Sequence, residues 1–75
     1  MPACKRFTHF VDHEDGTGYY RDYNDMGRVL ARHRAAVKAS KTVHSWIEEY
    51  DPETGEGMRR LADWFPPSQT LIQKQ

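Results

Sequence analysis

The chain has a single cysteine, Cys4, so it cannot form an internal disulfide, a pattern expected of a reducing compartment. No apolar run of the roughly 7–15 residues that a secretory signal needs occurs between Met1 and Phe10, and no later stretch is apolar enough to span a bilayer. A glycine-rich phosphate loop is also missing, since Gly16-Thr17-Gly18 precedes neither a lysine nor a helix of the required kind. Charge of one sign is missing too: eleven basic and eleven acidic side chains cancel. These absences predict a cytoplasmic protein with no cofactor, no metal and no membrane partner. At 75 residues there is room for one domain with a modest core. Its expected extent is residues 1–67, followed by a flexible tail over 68–75 in which Leu71-Ile72 is the one apolar pair.

The charges that are present fall in blocks. Residues 12–25 hold Asp12, Glu14, Asp15, Asp22 and Asp25 against Arg21 alone. Residues 28–41 hold Arg28, Arg32, Arg34, Lys38 and Lys41 with no acid, and residues 48–56 return to Glu48, Glu49, Asp51, Glu53 and Glu56. An acidic–basic–acidic order lets the chain neutralise itself on folding and dilutes long-range attraction to phosphate.

The most informative local signal is Tyr50-Asp51-Pro52-Glu53-Thr54-Gly55. Pro52 pre-sets φ for the first corner, Asp51 can accept from the turn's own backbone, and Gly55 supplies the left-handed residue that closes a bulged hairpin. These six residues resemble the loop of the designed mini-hairpin chignolin, a likeness of local shape. A uniform register from this turn sets Tyr50 opposite Gly57, Glu48 opposite Arg59, Trp46 opposite Leu61 and His44 opposite Asp63. The other face then pairs Glu49 with Met58, Ile47 with Arg60, Ser45 with Ala62 and Val43 with Trp64. Upstream, Lys5 to His13 reads as a strand ending at Glu14-Asp15-Gly16, with Gly18 to Arg21 returning. A two-residue Asp-Gly turn puts Val11 opposite Tyr20 and His9 opposite Asp22. Between the hairpins, Met26, Val29, Leu30, His33 and Val37 recur at helical spacing. They predict a helix from Asp22 to about Ser40, capped by Asp22, Asn24 or Asp25, burying Met26, Val29, Leu30 and Val37. An all-helical reading, with the stripe running on through Val43 and Ile47 and a second stripe over Met58, Leu61, Ala62 and Phe65, competes with the C-terminal hairpin. Pro66-Pro67 stops whatever precedes it. The expected fold is α+β: a small antiparallel sheet made of an N-terminal strand or hairpin plus a C-terminal hairpin, with one amphipathic helix packed on one face.

Candidate chemistry is sparse. His9 and His13 share a side of a strand but lie about 13 Å apart at the usual rise, too far to share an ion. His33, on the apolar stripe, suits a hydrogen-bonded boundary role. His9/Asp22 and His44/Asp63 resemble the lower half of a hydrolytic triad, but no nucleophile stands beside them, because Ser45 points away from His44. The expectation is therefore a non-enzymatic protein. Two contact surfaces stand out. Trp46, Tyr50 and Leu61, rimmed by Glu48 and Arg59, have the composition of a protein–protein patch. Arg28, Arg32, Arg34 and Lys38 form a basic helix face that could meet an acidic surface or nucleic acid. The expected function is a small interaction protein that docks on a larger protein or complex and modulates or inhibits it. In size and charge-richness it is similar to regulators encoded by phages and mobile elements. The alternative is a nucleic-acid-binding accessory protein that uses the basic helix.

Overall fold

In the computed structural model, which describes residues 6–67, Glu14-Asp15-Gly16 reverses the chain between β1 (Phe7–His13) and β2 (Gly18–Tyr23). The His13 amide donates to Thr17 O at 2.7 Å, and the Gly16 amide donates to His13 O at 3.0 Å, with Gly16 at φ 90°. This is a three-residue loop closed by a left-handed glycine, where a two-residue turn was expected. Asp15 pins it by accepting from the Thr17 amide (2.9 Å) and hydroxyl (2.6 Å), bonds that hold its carboxyl below the ordinary range. The extra loop residue slips the register by one. Val11 lies opposite Tyr19, Phe10 opposite Tyr20 and Thr8 opposite Asp22. A one-residue slip exchanges faces, so Asp22 meets the Thr8 hydroxyl at 2.7 Å and the expected His9/Asp22 pair does not form. The strand also continues to Tyr23, past the expected end at Arg21.

The helix α1 (Met26–Lys38) starts later and ends earlier than its apolar stripe suggested. Asp25 is the N-cap and takes the Arg28 amide on Oδ2 at 2.8 Å, so Asp22 and Asn24 stay outside. At the other end the Ala39 amide bonds Ala36 O, and the chain enters β3 (Thr42–Tyr50) after three residues. Asp51–Glu56 then turns it into β4 (Gly57–Trp64). Gly55 sits at φ 80°, its amide bonds Asp51 O at 2.7 Å, and the Asp51 carboxylate accepts the Glu53 amide at 2.8 Å. The bulged hairpin expected from the hexapeptide is present, Tyr50 lies opposite Gly57, and the helical reading of both segments is excluded.

The four strands form one antiparallel sheet in the order β2-β1-β3-β4, with α1 on one face, so the chain is α+β. β1 and β3 are central and carry the core: Phe7, Val29 and Ile47 pack together, flanked by Tyr23, Leu30, Leu61 and Ala62. Val29 and Ala36 are the buried helix residues, Leu30 and Val37 are half-buried, and Met26, expected inside, is 41% exposed at the first turn. No helix among the described residues is long and apolar enough to cross a membrane. The expected tail over 68–75 and the strand start at Lys5 lie outside the described residues.

Two irregularities in β3–β4 correct the uniform register. The pairing shifts by one between Tyr50 and Glu49 and again between Glu48 and Ile47. Glu48 thus faces Arg60, Glu49 faces Arg59, Ile47 faces Ala62 and Trp46 faces Asp63. A bulge inserts one residue and re-aims its neighbours. Arg59 is carried to the helix side, where its Nε donates to the buried Glu49 carboxylate at 2.7 Å, and Leu61 packs against the core. Neither shares a face with Trp46. The expected Glu48/Arg59 and Trp46/Leu61 pairs are therefore replaced by Glu48/Arg60 and Trp46/Asp63.

Candidate partner-binding surface

Since α1 packs on the odd-numbered face of β1 and β3, the even-numbered residues point the other way. Among the described residues no element covers that face. Tyr20, Phe10 and Trp46 fall in one cross-strand row. Phe10 stacks on Trp46 at 4.9 Å and 6°, with Tyr20 on its other flank at 5.9 Å. Trp46 also stacks on His44 at 4.1 Å, and His44 on Phe65 at 4.0 Å. The result is an unbroken row of five rings from the β2 edge to the end of β4. Its ends are open: Tyr20 is 69% and Phe65 55% exposed.

Polar contacts hold the middle of the row in place. Glu48 accepts from Trp46 Nε1 at 3.1 Å and from the Tyr50 hydroxyl at 2.9 Å. The Tyr50 bond, with help from Trp46 and Arg60, keeps the Glu48 carboxyl below its usual range. Burial and that same bond push the Tyr50 phenol up. Arg60 lies over the Trp46 ring at 5.3 Å and donates to Glu48 and Asp63 at 3.2 and 3.1 Å. Asp63, opposite Trp46 and not opposite His44 as expected, still receives His44 Nε2 on the diagonal at 2.6 Å, and this bond lowers its carboxyl. Fixed rings lose little entropy on binding, which is why preorganised aromatics serve as interface anchors. The charge of the face is one-sided. Asp12, Asp22, Glu48 and Asp63 sit on it against Arg60.

The opposite side of the molecule carries the reverse sign. Arg28, Arg32, Arg34 and Lys38 are all exposed, as expected, and none makes an ion pair among the described residues. The molecule is thus two-faced, with carboxylates around the rings and guanidinium groups on the helix.

Trp46, Tyr50 and Glu48 are therefore gathered on one face, the four basic helix residues are gathered on the other, and Arg59 and Leu61 belong to neither. Sequence reasoning missed Phe10, Tyr20, Arg60 and Phe65. Phe10 and Tyr20 were within reach: reading Glu-Asp-Gly as a three-residue loop with glycine last puts them opposite each other. Arg60 needed the bulges, which leave no signature in residue type.

Below the sheet, the buried Ser45 hydroxyl lies 2.8 Å from both His9 Nε2 and His33 Nδ1. Burial, then the neighbouring His33 and Arg32, lowers the His9 imidazole to about 4. Burial and Arg34 also lower His33. Ser45 is fully enclosed, so this group has no exposed nucleophile and does not read as a hydrolytic site. No group of His, Cys, Asp and Glu among the described residues is arranged to hold a metal ion.

No protein-family model matches the chain, and comparison with the curated proteins and with the solved structures gave no match either.

Proposed function

We propose that this protein is a non-enzymatic interaction module, acting in the cytoplasm, that docks on a larger protein partner and modulates it through the open face of its sheet. The observation that carries this reading is the ring row Tyr20–Phe10–Trp46–His44–Phe65, held by Glu48, Asp63 and Arg60 on a face that no described element covers. Aromatic rings with a charged rim are the composition of an interface centre. The sign of the rim favours a partner surface rich in arginine or lysine, because cations gain both from carboxylates and from ring faces. A nucleic acid would bring phosphates against Asp12, Asp22, Glu48 and Asp63, so this face does not suit it. Docking in the manner of phage-borne inhibitors agrees with the size of the chain.

The runner-up is nucleic-acid binding through Arg28, Arg32, Arg34 and Lys38, favoured by the lack of acidic partners for them among the described residues. Affinity purification from the native host, with nuclease treatment and in parallel with Trp46→Ala and Arg28→Glu/Arg34→Glu variants of confirmed fold, separates the two. The proposal expects a protein partner that survives nuclease and is lost with Trp46→Ala chiefly through faster dissociation. Material that is lost on nuclease treatment or with the helix variant, and is indifferent to Trp46, would refute it in favour of the runner-up.

A further inference from the structure

Helix α1 lies over the two central strands and leaves the helix side of the edge strand β2 partly open. A cleft of about 390 Å3 runs between them, lined by His9, Tyr19, Tyr20, Arg21, Tyr23 and Arg32. That volume falls in the range of small-molecule sites. We propose that this cleft binds a phosphate monoester of an aromatic small molecule, a nucleoside monophosphate in chemical class. The proposal goes beyond the docking face, with which the cleft shares only the rim residue Tyr20.

The donor set carries the argument. Arg21 on β2 and Arg32 on α1 approach from opposite walls, and neither makes an ion pair among the described residues. Tyr19 and Tyr23 add phenol donors, and no carboxylate is among the lining residues. A carboxylate ligand is satisfied by one guanidinium fork, whereas two forks with further donors match the charge and the several acceptor oxygens of a phosphate dianion. Tyr19 and Tyr23 offer ring faces for a base, and the cleft is wider than a bare phosphate needs.

The floor explains why a histidine is buried there. His9 is 1% exposed, and its Nε2 is committed to Ser45, which leaves Nδ1 as the atom able to meet a ligand. The Ser45 hydroxyl has one proton but two imidazole nitrogens at 2.8 Å, so at least one imidazole must present an N–H to it. An anion in the cleft selects the tautomer with His9 Nδ1–H outward. His9 Nε2 then accepts from the Ser45 O–H, and Ser45 Oγ accepts from His33 Nδ1–H. Every donor has an acceptor, with no buried charge required. The neutral imidazole favoured by burial, and then by His33 and Arg32, fits this donor role. The bound phosphate would in turn favour the protonated ring, so ligand and proton binding are coupled.

Calorimetry on the intact protein at neutral pH tests this with AMP, adenosine, inorganic phosphate and a ten-residue oligothymidylate bearing free hydroxyl ends. Saturable one-to-one binding of AMP, weaker binding of phosphate and none of adenosine is the expected result. Arg21→Gln, an exposed residue outside both proposed docking faces, should weaken AMP at least about tenfold, whereas Arg34→Gln on α1, outside the cleft, should change it less than about twofold. The carbon-bound protons of His9 should shift on AMP addition. Absence of saturable AMP binding by the folded protein, equal binding of adenosine, or indifference to Arg21→Gln overturns the proposal. Oligothymidylate outcompeting AMP overturns it in favour of backbone phosphates. Each result is independent of Trp46→Ala, so failure here leaves the docking reading standing.

Discussion

Acidification from pH 7.5 to 5.0 should destabilise the fold through His9. The imidazole is ordinarily half-protonated near 6.5, and in the fold it is lowered to about 4, first by burial and then by His33 and Arg32. The unfolded chain therefore binds a proton that the folded chain refuses, so stability is complete above about 6.5 and declines as the pH falls toward 4. A gap of roughly 2.5 units has a ceiling of about 3 kcal/mol, and the part already lost at pH 5.0 is about 2 kcal/mol. For a domain this small that corresponds to roughly 10 °C in Tm. His33, lowered in the same direction, adds to the slope. The depressed carboxyls of Asp15, Glu48 and Asp63 act in a lower window, because their stabilisation is lost only as the pH falls through and below their ordinary values of 3.8 and 4.5. Urea unfolding followed by tryptophan fluorescence at half-unit steps measures the slope. His9→Gln keeps an amide within reach of Ser45 but does not titrate, so its slope between pH 6.5 and 5 should be shallower by up to about 1.4 kcal/mol per unit. A wild-type curve that is flat across this window, or a variant slope equal to the wild type, would show that His9 is not held neutral by its surroundings.

Ile47→Ala empties the middle of the Phe7–Val29–Ile47 cluster and should cost roughly 2–5 kcal/mol, a large part of the total for such a chain, so a urea midpoint that scarcely moves would place the core elsewhere. Gly55→Val forces a β-branched residue to φ 80° and should cost roughly 1–2 kcal/mol, read as a lower Tm with an unchanged circular dichroism spectrum. Asp12→Asn with Asp22→Asn removes two carboxylates beside the ring row, whose like charge should oppose self-association. Sedimentation should then show association that grows with concentration, and a variant still monomeric at the highest soluble concentration would show that charge does not protect this face.

Sequence logic reached the parts of this fold that rest on residue type. Asp51, Pro52 and Gly55 each have one good use, and together they placed the second hairpin and the Tyr50–Gly57 pair. The phase of the helix was legible from Val29 and Leu30, with Arg28, Arg32, Arg34 and Lys38 exposed, although the buried Ala36 carried no signal of its own. What failed was register. Asp15-Gly16 fits a two-residue turn and a three-residue loop equally well on paper, and the difference moves Tyr20 and Asp22 to other neighbours. In the bulged register of β3–β4 Leu61 reaches the core, a tertiary preference invisible in the strand itself. Met26 followed the periodic stripe, but a stripe does not show which turns of the helix the sheet covers, and at the first turn Met26 is left 41% exposed. The ring row was half legible for the same reason. Trp46, Tyr50 and Glu48 lie on one strand and need only alternation, whereas Phe10 and Tyr20 need the correct loop.

Coverage explains why so small a chain carries two unassigned surfaces. A helix of 13 residues is about 20 Å long and about 10 Å across. Neighbouring strands are about 4.8 Å apart, so one such helix roofs about two of them. It sits on β1 and β3, where the buried residues are. The helix side of β2 is left as the wall of the Arg21–Arg32 cleft, and β4 must cover itself by bulging Leu61 inward and pairing Arg59 with Glu49. The reverse face of the sheet receives no second layer among the described residues. Ordinarily an uncovered face is made polar at every position. Here two adjacent cross-strand rows carry the rings, and Phe10, Trp46 and His44 shield one another by stacking while only the end rings stand open. Mutual stacking lowers the cost of exposing rings, and the surrounding carboxylates discourage a second copy of the same face. Both devices are unnecessary for a face meant only to meet water. They agree with the docking proposed above, in which a cationic surface meets this face.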